Sequence, residues 1–217
     1  MKVLHHEVSD DTLLNPLNPA WKKATAEAFD MNPAPIAMAA KLSPFMALSE
    51  DHGSVEKLEA RAIHNGKRLS LLISWADDTA DTKIDDLNQF TDGVAVMFPM
   101  SAGATATTMG DENNPVNAWM WKADAPEPMD VIARGYGSSQ RRSAQKTGLK
   151  ASAVHTDGRW HVVFQRNLRP STMAMDLVGF SPKSSTGIAI AVWNGSNNER
   201  AGQKSVSGEW APFEVVA

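Results

Sequence analysis

The chain has 217 residues, of which 42% are apolar and 21% are charged, and its formal net charge is −4. This composition is typical of a globular protein with one full-sized core or two small ones, and it offers no basic face for nucleic acid or an anionic membrane. Because the chain contains no cysteine, disulfides, thiolate zinc sites, cysteine-ligated iron–sulfur clusters and covalent C-x-x-C-H haem are excluded.

The first 50 residues are rich in proline and weakly patterned. They begin with "MKVLHHEVSDD", which lacks the apolar core of a signal peptide, and no run in the chain approaches the roughly 18 apolar residues of a membrane span. The segment "NPLNPAWKKATAEAFDMNPAP" predicts one short helix, Ala20–Phe29, between extended flanks. We expect one domain over residues 1–217, with residues 1–50 as an extended, proline-rich N-terminal part.

From Val55 onward the pattern is that of short strands separated by turns. The run "KLEARAIHNGKRLSLLISW", residues 57–75, has two alternating segments on either side of Asn65-Gly66, a dipeptide typical of tight hairpin turns. The sequence therefore predicts an antiparallel hairpin here. Alternation places four apolar residues of its second arm on one face: Leu69, Leu71, Ile73 and Trp75.

Two further strands are predicted over residues 92–99 and 116–123. In the second strand Trp119 and Trp121 share one face, while smaller or unbranched apolar side chains occupy the other. The connection between them, "PMSAGATATTMGDENNP", is longer than a hairpin requires, as is the connection over residues 125–150. Long ordered loops on a rigid scaffold are where binding residues tend to lie.

The last third of the chain predicts a second hairpin and a central strand. The hairpin covers residues 149–166 and turns at Asp157-Gly158. The run "GIAIAVWNG", residues 187–195, is apolar on both faces, which is typical of a central strand, and residues 208–216 are expected to close the sheet. Helical periodicity is nearly absent after residue 55. The predicted fold is all-β, an antiparallel β-sandwich with long loops and little helix.

No catalytic signature is present: the chain has no G-x-S-x-G, H-E-x-x-H, P-loop or G-x-G-x-x-G motif. The acidic run "DDTADTKIDD", residues 77–86, offers oxygen ligands for calcium but lacks the spacing of an EF-hand loop. A solvated acidic loop is the favoured interpretation of this run. The histidines are scattered along the chain and assemble no catalytic triad.

Two loop residues remain unusual. Met109 lies in the small, polar loop "TATTMGDENNP", away from any apolar periodicity. Lys204 follows the central strand in "NNERAGQKSVSGEW", with no acidic residue within four positions on either side. A methionine that fills a gap in the core and a solvated lysine are the ordinary interpretations of these two residues.

A family resemblance assigns both residues a different role. The ordered blocks "FTDGVAVMFP", "MGDENNPVNAWMWKAD", "DGRWHVVFQR" and "IAIAVWNGSNNERAGQKSVSGEW" resemble the haem b-binding gamma subunits of periplasmic type II molybdoenzymes of the dimethyl sulfoxide reductase family. This group includes ethylbenzene dehydrogenase, dimethyl sulfide dehydrogenase, selenate reductase and chlorate reductase. The resemblance covers roughly Lys57 to Trp210 and does not include the first 50 residues.

The resemblance implies a β-sandwich like that of carbohydrate-binding modules, holding one b-type haem. Matched by motif, it implies Met109 and Lys204 as the axial ligands of the haem iron. Trp119 and Trp121 are then candidates for the wall of the haem pocket, with two ordinary core tryptophans as an equal alternative. Arg134, Arg141 and Arg142 are candidate partners of the haem propionates, with a solvated basic loop as the alternative.

The implied function is electron transfer without catalysis. The chain would relay electrons between a soluble c-type cytochrome and the iron–sulfur subunit of a heterotrimeric periplasmic molybdoenzyme, and the overall resemblance leans toward chlorate reductase. Two alternatives remain open. One is a carbohydrate-binding module, which predicts exposed, coplanar tryptophan rings. The other is a sandwich-type interaction module without a cofactor.

Overall fold

The computed structural model describes residues 1–35, 51–170 and 177–217. In these ranges it contains helices α1 (Asp10–Leu14) and α2 (Ala144–Thr147), with 3-10 turns at Pro19–Lys23 and Gly195–Asn197. The strands in chain order are β1 (Lys2–His5), β2 (Glu27–Asp30), β3 (Asn32–Pro33), β4 (Lys57–His64), β5 (Arg68–Ala76), β6 (Gly93–Pro99), β7 (Val116–Lys122), β8 (Met129–Ala133), β9 (Gln140–Ser143), β10 (Lys150–Thr156), β11 (Arg159–Asn167), β12 (Ser185–Trp193), β13 (Ser205–Val206) and β14 (Ala211–Val215).

The strands form two layers that share strand β1. One layer runs β10-β11-β5-β4, and the other runs β14-β12-β6-β7-β8-β9. Strand β1 pairs in parallel with β4 through Leu4 and Ile63, and in parallel with β14 through Val3 and Val215. The pairing path is therefore continuous from one layer to the other, and no helix of the described residues is long and apolar enough to cross a membrane.

The inward faces of the two layers pack into one apolar core. The face predicted for the second arm of the first hairpin is part of this core, since its four apolar residues are fully buried. The opposite layer contributes alternate residues of β6, β7 and β12, and Phe98 lies edge-on to Trp119 with ring centres 5.2 Å apart. The two layers and their shared core confirm the predicted β-sandwich. Alternation with a period of two gives each layer an apolar face that points into this core.

Both predicted hairpins are present. Strands β4 and β5 meet at Asn65-Gly66, where Gly66 has a positive φ of 82°. Strands β10 and β11 meet at Asp157-Gly158, where both residues have positive φ. Turns of this handedness match the twist of the flanking strands, which explains why these dipeptides predict hairpins.

The predicted helix Ala20–Phe29 is wrong. A 3-10 turn ends at Lys23, and the chain then extends into β2, where Phe29 pairs with Leu58 of β4 and is buried in the core. The Arg61 guanidinium donates a hydrogen bond of 2.8 Å to the carbonyl of Ala24. Sheet pairing and burial of Phe29 thus override the local helical preference. The remainder of the proline-rich N-terminal part, residues 36–50, lies outside the described residues.

The two layers differ on their outer faces. The layer that contains β4, β5 and β11 is covered by α1 and the first 3-10 turn, whose Leu13 and Trp21 pack on Ile63, Leu72 and Val163. No described helix covers the corresponding outer face of β12, β6 and β7. That face forms the floor of the cavity described below.

A buried ionic network lies on the core side of β7 and β8. Arg166 is fully buried, donates a hydrogen bond of 2.8 Å to Asp130 and places its guanidinium carbon 4.7 Å from the centre of the Trp119 ring. Arg142 donates to the other oxygen of Asp130, and Asn117 donates to the same carboxylate at 2.9 Å. Burial lowers the pKa of Arg166 to about 10. Asp130 therefore balances a guanidinium that has no access to water.

Replacement of Asp130 by Asn tests this network. Loss of the carboxylate charge leaves two arginines without their counter-ion, and breaking a buried pair from one side typically costs roughly 3–5 kcal/mol. We expect the free energy of unfolding, measured with denaturant, to fall by about this amount. The matched control is Asp78→Asn, because Asp78 is an exposed carboxylate outside this network. Equal stability of the two variants would contradict the assignment.

Candidate functional site

Met109 and Lys204 line the same cavity on the outer face of β6, β7 and β12. Two adjoining hollows, both partly open to solvent, share these two residues together with Tyr136 and Trp193. The structure therefore brings together two residues that are 95 positions apart in the sequence.

The floor of the cavity is a flat patch of alanine and methionine. Ala191, Ala95 and Met120 stand side by side on β12, β6 and β7, and the next row contains Ala189, Met97 and Ala118. The alanine side chains are small and leave space above the sheet for a ligand. The pattern of β12, apolar on both faces, predicts a central strand. Within "GIAIAVW" alanine alternates with branched residues, and this alternation is the sequence signal for the side that faces the cavity.

Lys204 is buried, and its amine has no polar partner among the described residues. The residue is 8% exposed, and within residues 1–35, 51–170 and 177–217 its amine makes no ion pair or hydrogen bond. Its contact is with Trp193, whose ring centre lies 4.9 Å from Nζ. Burial lowers the pKa of Lys204 to about 8. Because a buried ammonium is costly unless paired, burial makes this amine easier to deprotonate.

The loop that carries Lys204 is held in place by a buried carboxylate. Glu199 is 1% exposed and accepts hydrogen bonds from the backbone N–H groups of Gly53, Ser54 and Asn194 at 2.7–3.0 Å. Gly195 packs so closely that a Cβ atom there would lie 2.2 Å from the carbonyl oxygen of Phe90. The conformation of this loop is thus fixed by contacts outside the cavity.

Met109 adopts a left-handed backbone conformation with φ of 58°. A non-glycine residue in this region costs about 1–3 kcal/mol and persists only where its surroundings fix it. The next residue, Gly110, also has a positive φ, and a Cβ atom there would lie 2.4 Å from the carbonyl oxygen of Asn114. The "MG" dipeptide is thus a tight, strained turn that places the methionine side chain in the cavity wall.

The loops that carry Met109 and Lys204 are tied to each other. Thr107 donates a hydrogen bond of 2.7 Å to the carboxylate of Glu209, and the Trp210 indole donates one of 2.7 Å to the carbonyl of Ala104. Glu209 and Trp210 belong to the segment that follows Lys204. These contacts hold the two sides of the cavity in a fixed relation.

The structure places the predicted wall tryptophans elsewhere. Trp119 is fully buried in the sandwich core and Trp121 packs against the same core, 4.9 Å from the ring of Trp160. Both lie on the face of β7 opposite to Ala118 and Met120, which line the cavity. Of the two alternatives for Trp119 and Trp121, the structure shows core tryptophans and not cavity-wall residues. Trp193 and Tyr136 line the cavity instead, and no sequence pattern predicts either of them.

The three candidate arginines are separated by the fold. Arg141 is exposed and lines the cavity, where its charge is available to an anionic group. Arg142 faces the opposite side of β9 and binds Asp130. Arg134 donates a hydrogen bond to the carbonyl of Glu112 at 3.3 Å. Of the three, Arg141 is the residue that fits a propionate at the cavity.

The donors at the cavity include the amine of Lys204, whose pKa is lowered, and the thioethers of Met97, Met109 and Met120. A thioether is a soft ligand, and an amine binds a metal only after it has lost its proton. Both residue types are suited to the axial positions of an iron porphyrin, which brings its own four equatorial nitrogens. Among the described residues no group of three or more His, Cys, Asp or Glu is placed to hold a bare metal ion, and this includes the acidic run over residues 77–86.

Comparison with known sequences identifies a family. The profile of the ethylbenzene dehydrogenase family matches residues 18–150 and 145–205. The chain is 33% identical over 95% of its length to a protein of Haloferax mediterranei named as a candidate heme subunit of respiratory nitrate reductase. It is 37% identical over 72% of its length to the chlorate reductase subunit gamma of Ideonella dechloratans. It is 30% identical over 80% of its length to the dimethylsulfide dehydrogenase subunit gamma of Rhodovulum sulfidophilum.

The matches cover about two thirds of each relative: 70%, 64% and 66% of their respective lengths. Among solved structures, the chain is similar to a protein from Bacteroides uniformis described as a candidate carbohydrate-binding protein. The TM-score is 0.58 with 8% identity, over 99% of this chain and 98% of the other. At this identity the likeness confirms the β-sandwich fold alone.

Replacement of Lys204 by Met tests the electrostatics of the site in the cofactor-free protein. The pKa of Lys204 is about 8 in the folded chain and 10.5 when unperturbed, so burial of the ammonium destabilises the fold at pH 7 by about 3 kcal/mol. The cost is fully present below pH 8 and disappears as the pH rises to 10.5. We expect the variant to be more stable than wild type at pH 7, by an amount that shrinks across this range in denaturant unfolding. A pH-independent difference would contradict the burial of a charged amine.

Proposed function

The chain belongs to the ethylbenzene dehydrogenase family as a gamma-type, non-catalytic subunit, and from this premise we propose that it is an electron-transfer subunit that holds one b-type haem. Met109 and Lys204 are the axial ligands in this proposal. The observation that carries it is the buried amine of Lys204, unpaired within the described part of the chain, on the same cavity as the strained Met109. A lysine with an ordinary structural role would keep its ammonium in water or beside a carboxylate.

When bound, a b-type haem supplies an iron atom that gains and loses one electron. Lys204 contributes an amine whose proton is easily lost, because burial already lowers its pKa to about 8. Met109 contributes a thioether, which favours ferrous iron and raises the reduction potential. The alanine floor leaves room for a flat ring system, and Arg141 offers its charge to a propionate.

The named relatives support a place in a larger complex. Two of them are gamma subunits of chlorate reductase and dimethylsulfide dehydrogenase, so we place this chain beside an iron–sulfur subunit and a molybdenum subunit. A soluble c-type cytochrome is the proposed partner on the other side of the electron path, and the periplasm is the proposed location. The 37% identity to the Ideonella dechloratans protein favours chlorate reductase as the parent enzyme.

A carbohydrate-binding function is not favoured by the surface. It requires exposed aromatic rings on which a sugar can stack, but all seven tryptophans lie in the described part of the chain and none is exposed. The likeness to the Bacteroides uniformis protein therefore supports the scaffold and not a glycan site.

The ligand assignment is tested by Met109→Leu and Lys204→Leu in the haem-loaded protein. Each substitution removes one donor at nearly constant volume. We expect the low-spin, six-coordinate spectrum of the wild type to become that of five-coordinate, high-spin haem in each variant. We also expect Met109→Leu to lower the midpoint potential, because the thioether stabilises ferrous iron.

Matched controls are Met100→Leu and Lys183→Gln, which alter the same residue types outside the cavity. Both are expected to keep the wild-type spectrum and potential. A spectrum that changes in Met97→Leu or Met120→Leu, and not in Met109→Leu, would contradict the assignment of Met109. An unchanged spectrum in Lys204→Leu would contradict that of Lys204.

A further inference from the structure

The left-handed turn at Met109 needs an external support. Within its own loop, Met109 donates a backbone hydrogen bond of 3.0 Å to the carbonyl of Ala106, and Gly110 donates one of 3.0 Å to the carbonyl of Thr105. These bonds close the turn but do not fix its position relative to the sheet. Because the strained conformation is costly, contacts from another element must hold it in place.

Besides the hydrogen bonds to Glu209 and from Trp210 described above, support comes from the turn between β8 and β9, residues 134–138. The N–H of Gly135 donates a hydrogen bond of 3.0 Å to the carbonyl of Met109, and the hydroxyl of Tyr136 donates one of 2.6 Å to the carbonyl of Thr107. Two adjacent residues of one turn thus bind two carbonyls of the Met109 loop.

The supporting turn is itself well defined. The hydroxyl of Ser138 donates a hydrogen bond of 2.7 Å to the carbonyl of Gly135 and accepts one of 2.7 Å from the N–H of Arg134. Gly135 and Gly137 both have positive φ, which few other residues adopt easily. The position of Tyr136 is therefore set by its own turn.

Tyr136 is the one tyrosine in the chain, and it lies in the cavity wall together with Met109. We propose that Tyr136 is a positioning residue for Met109: its hydrogen bond to Thr107 holds the loop so that Met109 remains in the cavity wall. This inference rests on the proposed haem function. It assigns to Tyr136 no contact with iron and no part in electron transfer of its own.

The hydrogen bond of Tyr136 is expected to have a measurable effect on the fraction of protein whose Met109 has left the iron. The net contribution of one hydrogen bond is about 0.5–1.5 kcal/mol, which corresponds to about a 2–12-fold change in an equilibrium. Loss of the Tyr136 hydroxyl is therefore expected to raise the fraction of protein whose Met109 has left the iron by about 2–12-fold. Carbon monoxide binds ferrous iron only where an axial position is free, so its binding rate reports this fraction.

The experiment compares Tyr136→Phe with wild type in the haem-loaded chain, and repeats the comparison in the Met109→Leu background. Tyr136→Phe keeps the ring and removes only the hydroxyl. We expect full haem content, a lower midpoint potential and carbon monoxide binding about 2–12-fold faster than in wild type. In the Met109→Leu background the same substitution is expected to change none of these quantities, because Tyr136 acts through Met109.

The control is Thr91→Val, which removes a hydroxyl that donates a bond of 2.7 Å to Asp124. Thr91 does not line the cavity, so this variant is expected to lose stability with no change in potential or carbon monoxide binding.

Unchanged carbon monoxide binding in Tyr136→Phe would overturn the inference, as would an equal acceleration in the Met109→Leu background. A wild-type chain that binds no haem, or a Met109→Leu variant with the wild-type spectrum, would instead overturn the proposed function.

Discussion

The site depends on the burial of one amine, that of Lys204, for which the described residues provide no counter-charge. Lys204 is 8% exposed and contacts the ring of Trp193, while the loop around it is fixed by the buried carboxylate of Glu199. A protein that needed only to fold could place a leucine at this position at lower cost. The cost of desolvation becomes useful once the amine has to give up its proton to bind a metal.

The sandwich provides what such a site requires. One layer has its outer face covered by the N-terminal helix and 3-10 turn, whereas the other presents a floor of alanine and methionine to the cavity. The floor and the core are opposite faces of the same strands, so the rigidity of the core is transmitted to the site. The long loops then add the side chains that determine function, and these side chains differ among proteins that share this scaffold.

Much of the fold can be predicted from the sequence, because the signals are local. Asn65-Gly66 and Asp157-Gly158 define their hairpins, and alternation defines which residues share a face. Alternation does not tell which of two apolar faces is the core, and for this reason the sequence leaves cavity wall and core as equal alternatives for Trp119 and Trp121, of which the structure shows the core. The helix predicted over Ala20–Phe29 failed because pairing with a distant strand, β4, decides the conformation there.

Only part of the site can be predicted from the sequence. The local pattern marks Met109 and Lys204 as unusual loop residues, but only the family resemblance implies that they are ligands. Tyr136 carries no local signal, because its role depends on a hydrogen bond to a loop 29 positions away. The alanines of the floor have a weak signal in the alternation of small and branched residues along β12.

The central claim is that this cavity binds one b-type haem between Met109 and Lys204. Titration of haem b into the cofactor-free protein, followed by absorption in both oxidation states, tests it most directly. The account predicts saturation at one haem per chain and a low-spin, six-coordinate spectrum in the ferric and ferrous forms. Absence of saturable binding, or a spectrum identical to that of free haem, would contradict it.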